Sequence, residues 1–206
     1  VIDIGASYGK YTYALAERVG SEGKVHAIEP TPTGVVSLEY LAKRCNWDHV
    51  WVHEVALGSR PGRARMTVPR DDRGPVFQRS FLTASTGRES AFALEGALDM
   101  WVEKTTLDHL AVQAELRTVD FIKCDVEGAE LEVFGAGQRV LEESRPTIWC
   151  EIEARHTKKY GHTPEDVFRW FRKRGYRVWE LAGGGEEERG ERAPGQDYLL
   201  VHEKRK

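Results

Sequence analysis

The stretch Val1-Ile2-Asp3-Ile4-Gly5-Ala6-Ser7-Tyr8-Gly9 decides the fold. Val1 to Ile4 reads as a short, mostly apolar strand, and the two glycines after it allow a sharp turn. Lys10 to Val19 then places Tyr11, Ala14, Leu15 and Val19 at helical spacing until Gly20 ends the pattern. A strand, a glycine turn and a helix open a parallel sheet whose ligand lies beyond the C-terminal strand ends, near the helix N-terminus. Ser7 stands where a dinucleotide fingerprint has its middle glycine, so a pyrophosphate fits poorly. Asp3 suits either an amino-acid ammonium group or a capping role for the loop, and the two are compatible.

Outward from this turn, strands and helices alternate. Lys24 to Ile28 is a strand, Thr33 to Arg44 a helix, and His49 to Leu57 a third strand. Arg63 to Val68 reads as a hairpin partner, the pattern is lost from Pro69 to about Gly96, and Val102 to Thr106 is a small strand. Periodicity returns with a short helix at Leu107 to Leu116, a strand at Val119 to Cys124, a helix at Ala129 to Glu143 and a strand at Thr147 to Ile152. Thr163-Pro164-Glu165-Asp166 is a helix start, with a hydroxyl cap, Pro at the first position and acids in the first turn; Gly175 ends that helix. Tyr176 to Leu181 and Tyr198 to His202 are the last strands, joined by a charged loop from Gly183 to Gln196. The expectation is one α/β domain over residues 1–206 with an insertion around 59–100. Its core is a doubly wound, Rossmann-like, mostly parallel sheet of seven strands with an antiparallel edge strand and helices on both faces.

The 206 residues carry a net charge of -3, with no general attraction to nucleic acid or anionic membrane. Cys45, Cys124 and Cys150 form no Cys-x-x-Cys pair and read as reduced thiols. No apolar run reaches the roughly 20 residues that span a bilayer. A cytoplasmic location is expected, with a segment preceding Val1, because the chain opens inside a strand without Met.

Glu29 closes the second strand, 20 residues after Gly9, where a carboxylate can accept from both ribose hydroxyls. Gly5, Ser7, Gly9 and Asp3 would hold the amino-acid end of the ligand, and Ala56 and Leu57 would lie beside its base. S-adenosylmethionine meets these demands: it has an ammonium, a carboxylate, a ribose and no phosphate. A nicotinamide-dependent reductase would need Gly at position 7 and a hydride-transfer pair, which is not found. A non-catalytic nucleoside-binding scaffold is the other alternative.

Asp3-x-Gly5-x-x-x-Gly9, Ala27-Ile28-Glu29-Pro30 and Val55-Ala56-Leu57-Gly58 together resemble the first half of an FkbM-type methyltransferase. Thr105-Thr106-Leu107-Asp108, Phe121 to Glu130 and the strand from Pro146 to Glu151 are similar to its second half, and Asp125-Val126-Glu127-Gly128-Ala129-Glu130 is the most specific block. The resemblance implies a class I methyltransferase fold, S-adenosylmethionine as donor, and O-methylation of a sugar or natural-product intermediate.

A neutral hydroxyl needs a base within hydrogen-bond reach, or a metal that lowers its pKa. The candidates lie at the fourth and fifth strand ends: Asp125, which also faces the methyl donor, Glu151 and, in the loop that follows, His156, with Glu127 and Glu153 nearby. Asp125 is equally placed to cap the following helix, and Glu130 reads as a first-turn acid favoured by the helix dipole. Asp125 and Glu151 could also share a divalent cation such as Mg2+. Six arginines between Arg60 and Arg79 would pair with an anionic small-molecule acceptor, or else solvate the insertion.

Overall fold

The computed structural model describes residues 1–83, 96–182, 185–188 and 196–205. Its main sheet is assembled by registry of small and branched apolar side chains. Ile2 and Ile4 of β1 (Ile2–Ile4) lie beside Ile122 and Cys124 at one side and His26 and Ile28 of β2 (Val25–Ile28) at the other. The β2 strand in turn pairs with β3 (Val50–His53) at one edge. Ile148 and Cys150 extend the same apolar row, and these residues, apart from His26, join one cluster with Phe134, Phe168 and Phe171. The opposite face, where Ala27 packs on Leu38, carries a polar and aromatic row: Asp3, Lys123 and Trp149 in register.

The chain steps from β1 to β2 and β3, then leaves the sheet. It forms β4 (Ala56–Leu57), β5 (Gly62–Val68), β8 (Phe81–Leu82) and β9 (Leu98–Thr105), a second sheet in the order β4-β9-β5-β8. A short ribbon of β6 (Arg70–Asp71) and β7 (Gly74–Pro75) projects between β5 and β8. The chain then returns to β10 (Phe121–Cys124), on the other side of β1. This reversal between β1 and β10 opens the crevice where ligands of such sheets bind. Beyond β10 come β11 (Thr147–Glu151), β14 (Asp197–His202), β12 (Tyr176–Ala182) and β13 (Gly185–Glu188). The reversed strand β14 is inserted one place in from β12, so it pairs antiparallel on both sides.

Helices α1 (Lys10–Val19), α2 (Pro32–Arg44), α3 (Leu107–Gln113), α4 (Glu130–Gly135), α5 (Gln138–Ser144), α6 (Ala154–Thr157) and α7 (Pro164–Arg172) complete the fold. The start of α7 is a capping box: Thr163 and Asp166 exchange hydrogen bonds, as the sequence indicates. Cys124 and Cys150 are buried and Cys45 is partly buried, all as free thiols. No helix among the described residues is long and apolar enough to cross a membrane.

Four sequence expectations are corrected. The stretch from His49 to Leu57 is two strands, because a tight turn, Val55 N–H to His53 carbonyl at 3.0 Å, redirects Ala56 and Leu57 to pair with β9. The single helix from Ala129 to Glu143 is broken at Ala136-Gly137. A side chain at Gly137 would lie 2.5 Å from Leu107, and Asp108 restarts the helix by accepting from the N–H groups of Arg139 and Val140 at 3.1 and 3.0 Å. That contact gives Asp108 of the Thr-Thr-Leu-Asp motif its task. His156 lies on α6 rather than in a loop, since the Glu153 carbonyl accepts from both His156 and Thr157. Gly185–Glu188 pairs with β12 and makes an eighth strand within the charged segment.

Candidate active site

An open cavity of about 230 Å³ lies at the C-terminal ends of β1, β2 and β10. Its floor is the glycine turn. Gly5 (φ 78), Ser7 (φ 50) and Gly9 (φ 88) all occupy the left-handed region. The N–H groups of Gly5 and Ala6 both donate to the Ile28 carbonyl at 3.0 Å, which ties the turn to β2. A Cβ at Gly5 would sit 1.8 Å from the Asp125 carbonyl oxygen, so the loops after β1 and β10 touch backbone to backbone only because this residue has no side chain. Gly9 caps α1 without a side-chain bond and packs against Leu38 and Leu41 of α2. Lys10 and Tyr11, in the first turn of α1, reach the cavity wall.

Glu29 is 5% exposed and has its carboxylate turned inward. Oε2 accepts from Ser7 N–H at 2.8 Å; Oε1 accepts from the Thr31 N–H and hydroxyl. A non-glycine residue at position 7 is thus held in the left-handed conformation by the acid closing the next strand. The amide that would cradle a phosphate is already occupied by a carboxylate, which disfavours pyrophosphate more strongly than the missing glycine alone. Oε1 has two donors, while Oε2 keeps one lone pair, so Glu29 offers a ribose one free acceptor site rather than two. Gly34 makes this possible: a Cβ there would lie 2.5 Å from Glu29 Cγ.

At the reacting end, Asp125 and Glu127 line the cavity. Glu127 has φ 56, and Gly128, at φ 110, faces the His156 carbonyl so closely that a Cβ would lie 2.4 Å from it. Glu130 buries its carboxyl beneath this turn and accepts from Gly128 N–H at 3.0 Å; burial raises its pKa to about 7. The Asp-Val-Glu-Gly-Ala-Glu block is therefore a strained turn, locked from below by its last acid, that projects two carboxylates into the cavity.

Glu127 Oε2 is 2.6 Å from His156 Nδ1 and 3.8 Å from Lys159 Nζ. Asp125 hydrogen-bonds Glu151, and Lys123 Nζ lies 3.7 Å from its Oδ2. Burial, then Asp125, then Glu153 raise Glu151 to about 8. Burial also raises Asp125, opposed first by Lys123. Glu151 therefore holds its proton at neutral pH, beside Asp125.

The cavity wall contains Gly5, Ser7, Glu29, Ala56, Leu57 and Asp125 of the residues expected from sequence. Gly9, Glu151 and His156 are not among its lining residues. Asp3 is 1% exposed, accepts from Thr12 Oγ1 at 2.6 Å and does not reach the wall; burial raises its pKa to about 6. Among the described residues no group of three or more His, Cys, Asp or Glu is placed to hold a metal ion. Asp125 and Glu151 meet beside the Lys123 ammonium group and form no part of such a group. Of the arginines, Arg63 pairs with Glu103 and stacks on Trp101, Arg65 pairs with Asp99, and Arg70 is exposed; none of these three lines the cavity.

The second sheet and the turn preceding β8 supply an apolar wall through Met66, Phe77, Phe81 and Leu82, and the Tyr160 hydroxyl donates to the Leu82 carbonyl at 2.8 Å. Sequence reading left out this wall, Gly34, Tyr8, Tyr11 and Lys123. Lys123 alone carried a signal, as a charged residue in the middle of an apolar strand.

A glycine turn, an inward acid following β2 and a carboxylate following β10, all at the switch point, place the chain among α/β domains of the methyltransferase class. The chain belongs to the methyltransferase FkbM domain family, which matches residues 3–178. Among solved structures it is similar to the methyltransferase FkbM of Methylobacillus flagellatus KT, at 16% identity and a TM-score of 0.56. That match covers 98% of this chain but 42% of the other, so the chain spans less than half the length of that relative. A SAM dependent methyltransferase from Aquifex aeolicus matches at 15% identity and a TM-score of 0.48, over 97% of this chain and 80% of that one. The SMU.1697c protein of Streptococcus mutans, solved with SAH, matches at 10% identity and 0.48, over 97% and 86%. No curated protein matches the chain.

Proposed function

We propose that this domain transfers a methyl group from S-adenosylmethionine to a hydroxyl oxygen of a small molecule, a sugar or a natural-product intermediate. The observation that carries the reading is that Glu29, the Ser7 turn and Asp125 share one cavity at the switch point. The donor supplies an electrophilic methyl group on a sulfonium, whose loss leaves a neutral thioether. The chain's residues do the rest. The Glu29 carboxylate receives a ribose hydroxyl, Val55, Ala56 and Leu57 flank the base, and the open first turn of α1 faces the carboxylate of the amino-acid end. Asp125 accepts the acceptor's proton as its oxygen is methylated, and the protonated Glu151 keeps Asp125 oriented. Lys10 is the cation on the wall toward which an anionic acceptor would turn. No divalent cation is assigned a step, and treatment with EDTA should leave the methylation rate unchanged.

The test is calorimetry with adenosylhomocysteine and with NADH, followed by methyl-labelled S-adenosylmethionine against a panel of sugars, polyols and phenols. Adenosylhomocysteine binding with label transfer to one hydroxyl class supports the reading. NADH binding instead would overturn it. Donor binding with no transfer to any compound would favour a scaffold that has kept the pocket.

A further inference from the structure

A lysine at the centre of a parallel sheet is costly, because an ammonium group taken out of water needs compensation. Lys123 is the middle of β10, 1% exposed, in register between Asp3 of β1 and Trp149 of β11. Its Nζ has no hydrogen-bond partner. It lies 4.8 Å from the centre of the Tyr11 ring and 5.7 Å from that of Trp149, so two aromatic rings wall it off. Beyond these rings, two carboxylates face it. Asp3 is turned to Thr12, while Asp125, two residues on and therefore on the same side of the strand, has Oδ2 at 3.7 Å. Burial alone would lower the pKa of this ammonium group; Asp125 leads the groups that outweigh it. Tyr11 and Asp125 both line the cavity, so the cage forms part of the wall of the reacting end.

We propose that Lys123 is a positioning residue: its caged ammonium group holds the Asp125 carboxylate at the cavity wall, in the orientation that receives the acceptor's proton. The inference rests on the reading of Asp125 as the base. The rings of Tyr11 and Trp149 that wall the cage would also contact an apolar chain, so packing alone does not call for a charge here; the ammonium group answers Asp125. Removing one partner of a buried ion pair leaves the other charge unanswered, so K123M is expected to lose stability as well, and a readout other than turnover is needed beside it.

The experiment compares K123M, K123R and D125N with the wild type. Adenosylhomocysteine affinity is measured by calorimetry, and turnover with the best acceptor from the panel above. K123M is expected to bind adenosylhomocysteine as the wild type does. Its kcat should fall roughly 10- to 100-fold with little change in acceptor KM, the cost of a misplaced reacting group. K123R should recover part of that loss. If D125N keeps full turnover, the base reading fails. If D125N is inactive while K123M turns over at the wild-type rate, the positioning inference alone fails. A readout independent of turnover covers a K123M that does not fold: the side-chain NH3+ resonance of Lys123 in 15N-lysine protein, assigned through K123R. D125N should shift it more than D3N does. A resonance that answers to D3N and not to D125N would make Lys123 a structural partner of Asp3 and overturn the proposal.

Discussion

Replacing Glu29 by Gln changes almost no volume, yet the hydrogen bonds leave it no good orientation. The carboxylate accepts from Ser7 N–H at 2.8 Å through one oxygen, and from the Thr31 N–H and hydroxyl through the other. A glutamine can keep its one oxygen on Thr31, but its NH2 then meets the Ser7 N–H, donor against donor. The loss is one charge-assisted bond, with a donor left unsatisfied, together about 2–4 kcal/mol. For a domain of this size that is a drop in Tm of about 4–16 °C. Adenosylhomocysteine should also bind about 10- to 100-fold more weakly, because the remaining lone pair of Oε2 is lost to the ribose. Differential scanning calorimetry and isothermal titration read the two effects separately. Thr31→Val is the control: it removes one donor from Oε1 and the cap of α2 but leaves Oε2 alone, so it should cost about 1 kcal/mol and spare the ligand. E29Q binding adenosylhomocysteine as tightly as wild type would refute the ribose contact. E29Q melting within about 1 °C of wild type would refute the lock on Ser7.

Gly5→Ala should destabilise by more than about 3 kcal/mol, because the methyl group would collide with the Asp125 carbonyl at 1.8 Å on top of the left-handed strain. Gly161→Ala, at φ 80 with nothing within 4 Å, should cost only the strain of about 1–2 kcal/mol, and urea titration compares the two. Glu151 has its folded pKa raised to about 8 from 4.5, so between these values the folded chain holds a proton that the unfolded chain has released. Its contribution to stability therefore falls as pH rises through that window. A Tm series from pH 5 to 9 should show a shallower decline for E151Q, and an identical slope would rule the shift out. Tyr160→Phe leaves the Leu82 carbonyl without its donor, at about 1–3 kcal/mol; hydrogen exchange should quicken in β5 and β8 and remain unchanged in β10.

The main sheet was legible because its strands announce themselves by apolar runs and its turns by glycines at the positions that need positive φ. The lining of the cavity was legible in part for the same reason: Gly5, Ser7 and Glu29 are adjacent to those strand ends. What the sequence hides is what a side chain does for a distant segment. Asp108 caps a helix that begins 30 residues later, and no local pattern shows that this carboxylate breaks the stretch from Ala129 to Glu143 in two. Gly34 reads as an ordinary helix residue until Glu29 is found packed on it. The arginine cluster misleads in the opposite way. Arg63 and Arg65 read as part of a run of like charges, yet each forms its own ion pair once β5 lies beside the acids of β9.

The two faces of the sheet explain why the reacting end is polar while the core beside it is dry. On one face Ile2, Ile122 and Ile148, and then Ile4, Cys124 and Cys150, form continuous apolar rows. On the other, Asp3, Lys123 and Trp149 form a row whose charges have no water to turn to. A buried row of this kind is tolerated only if its charges are answered, and the answering groups lie one step further along the strands. Asp125 continues β10, accepting Glu151 from the end of β11 and facing Lys123 from below. Strand alternation thus carries the polar row up to the cavity. Asp125, the carboxylate at the end of this row, lines the cavity and is the one the buried lysine faces.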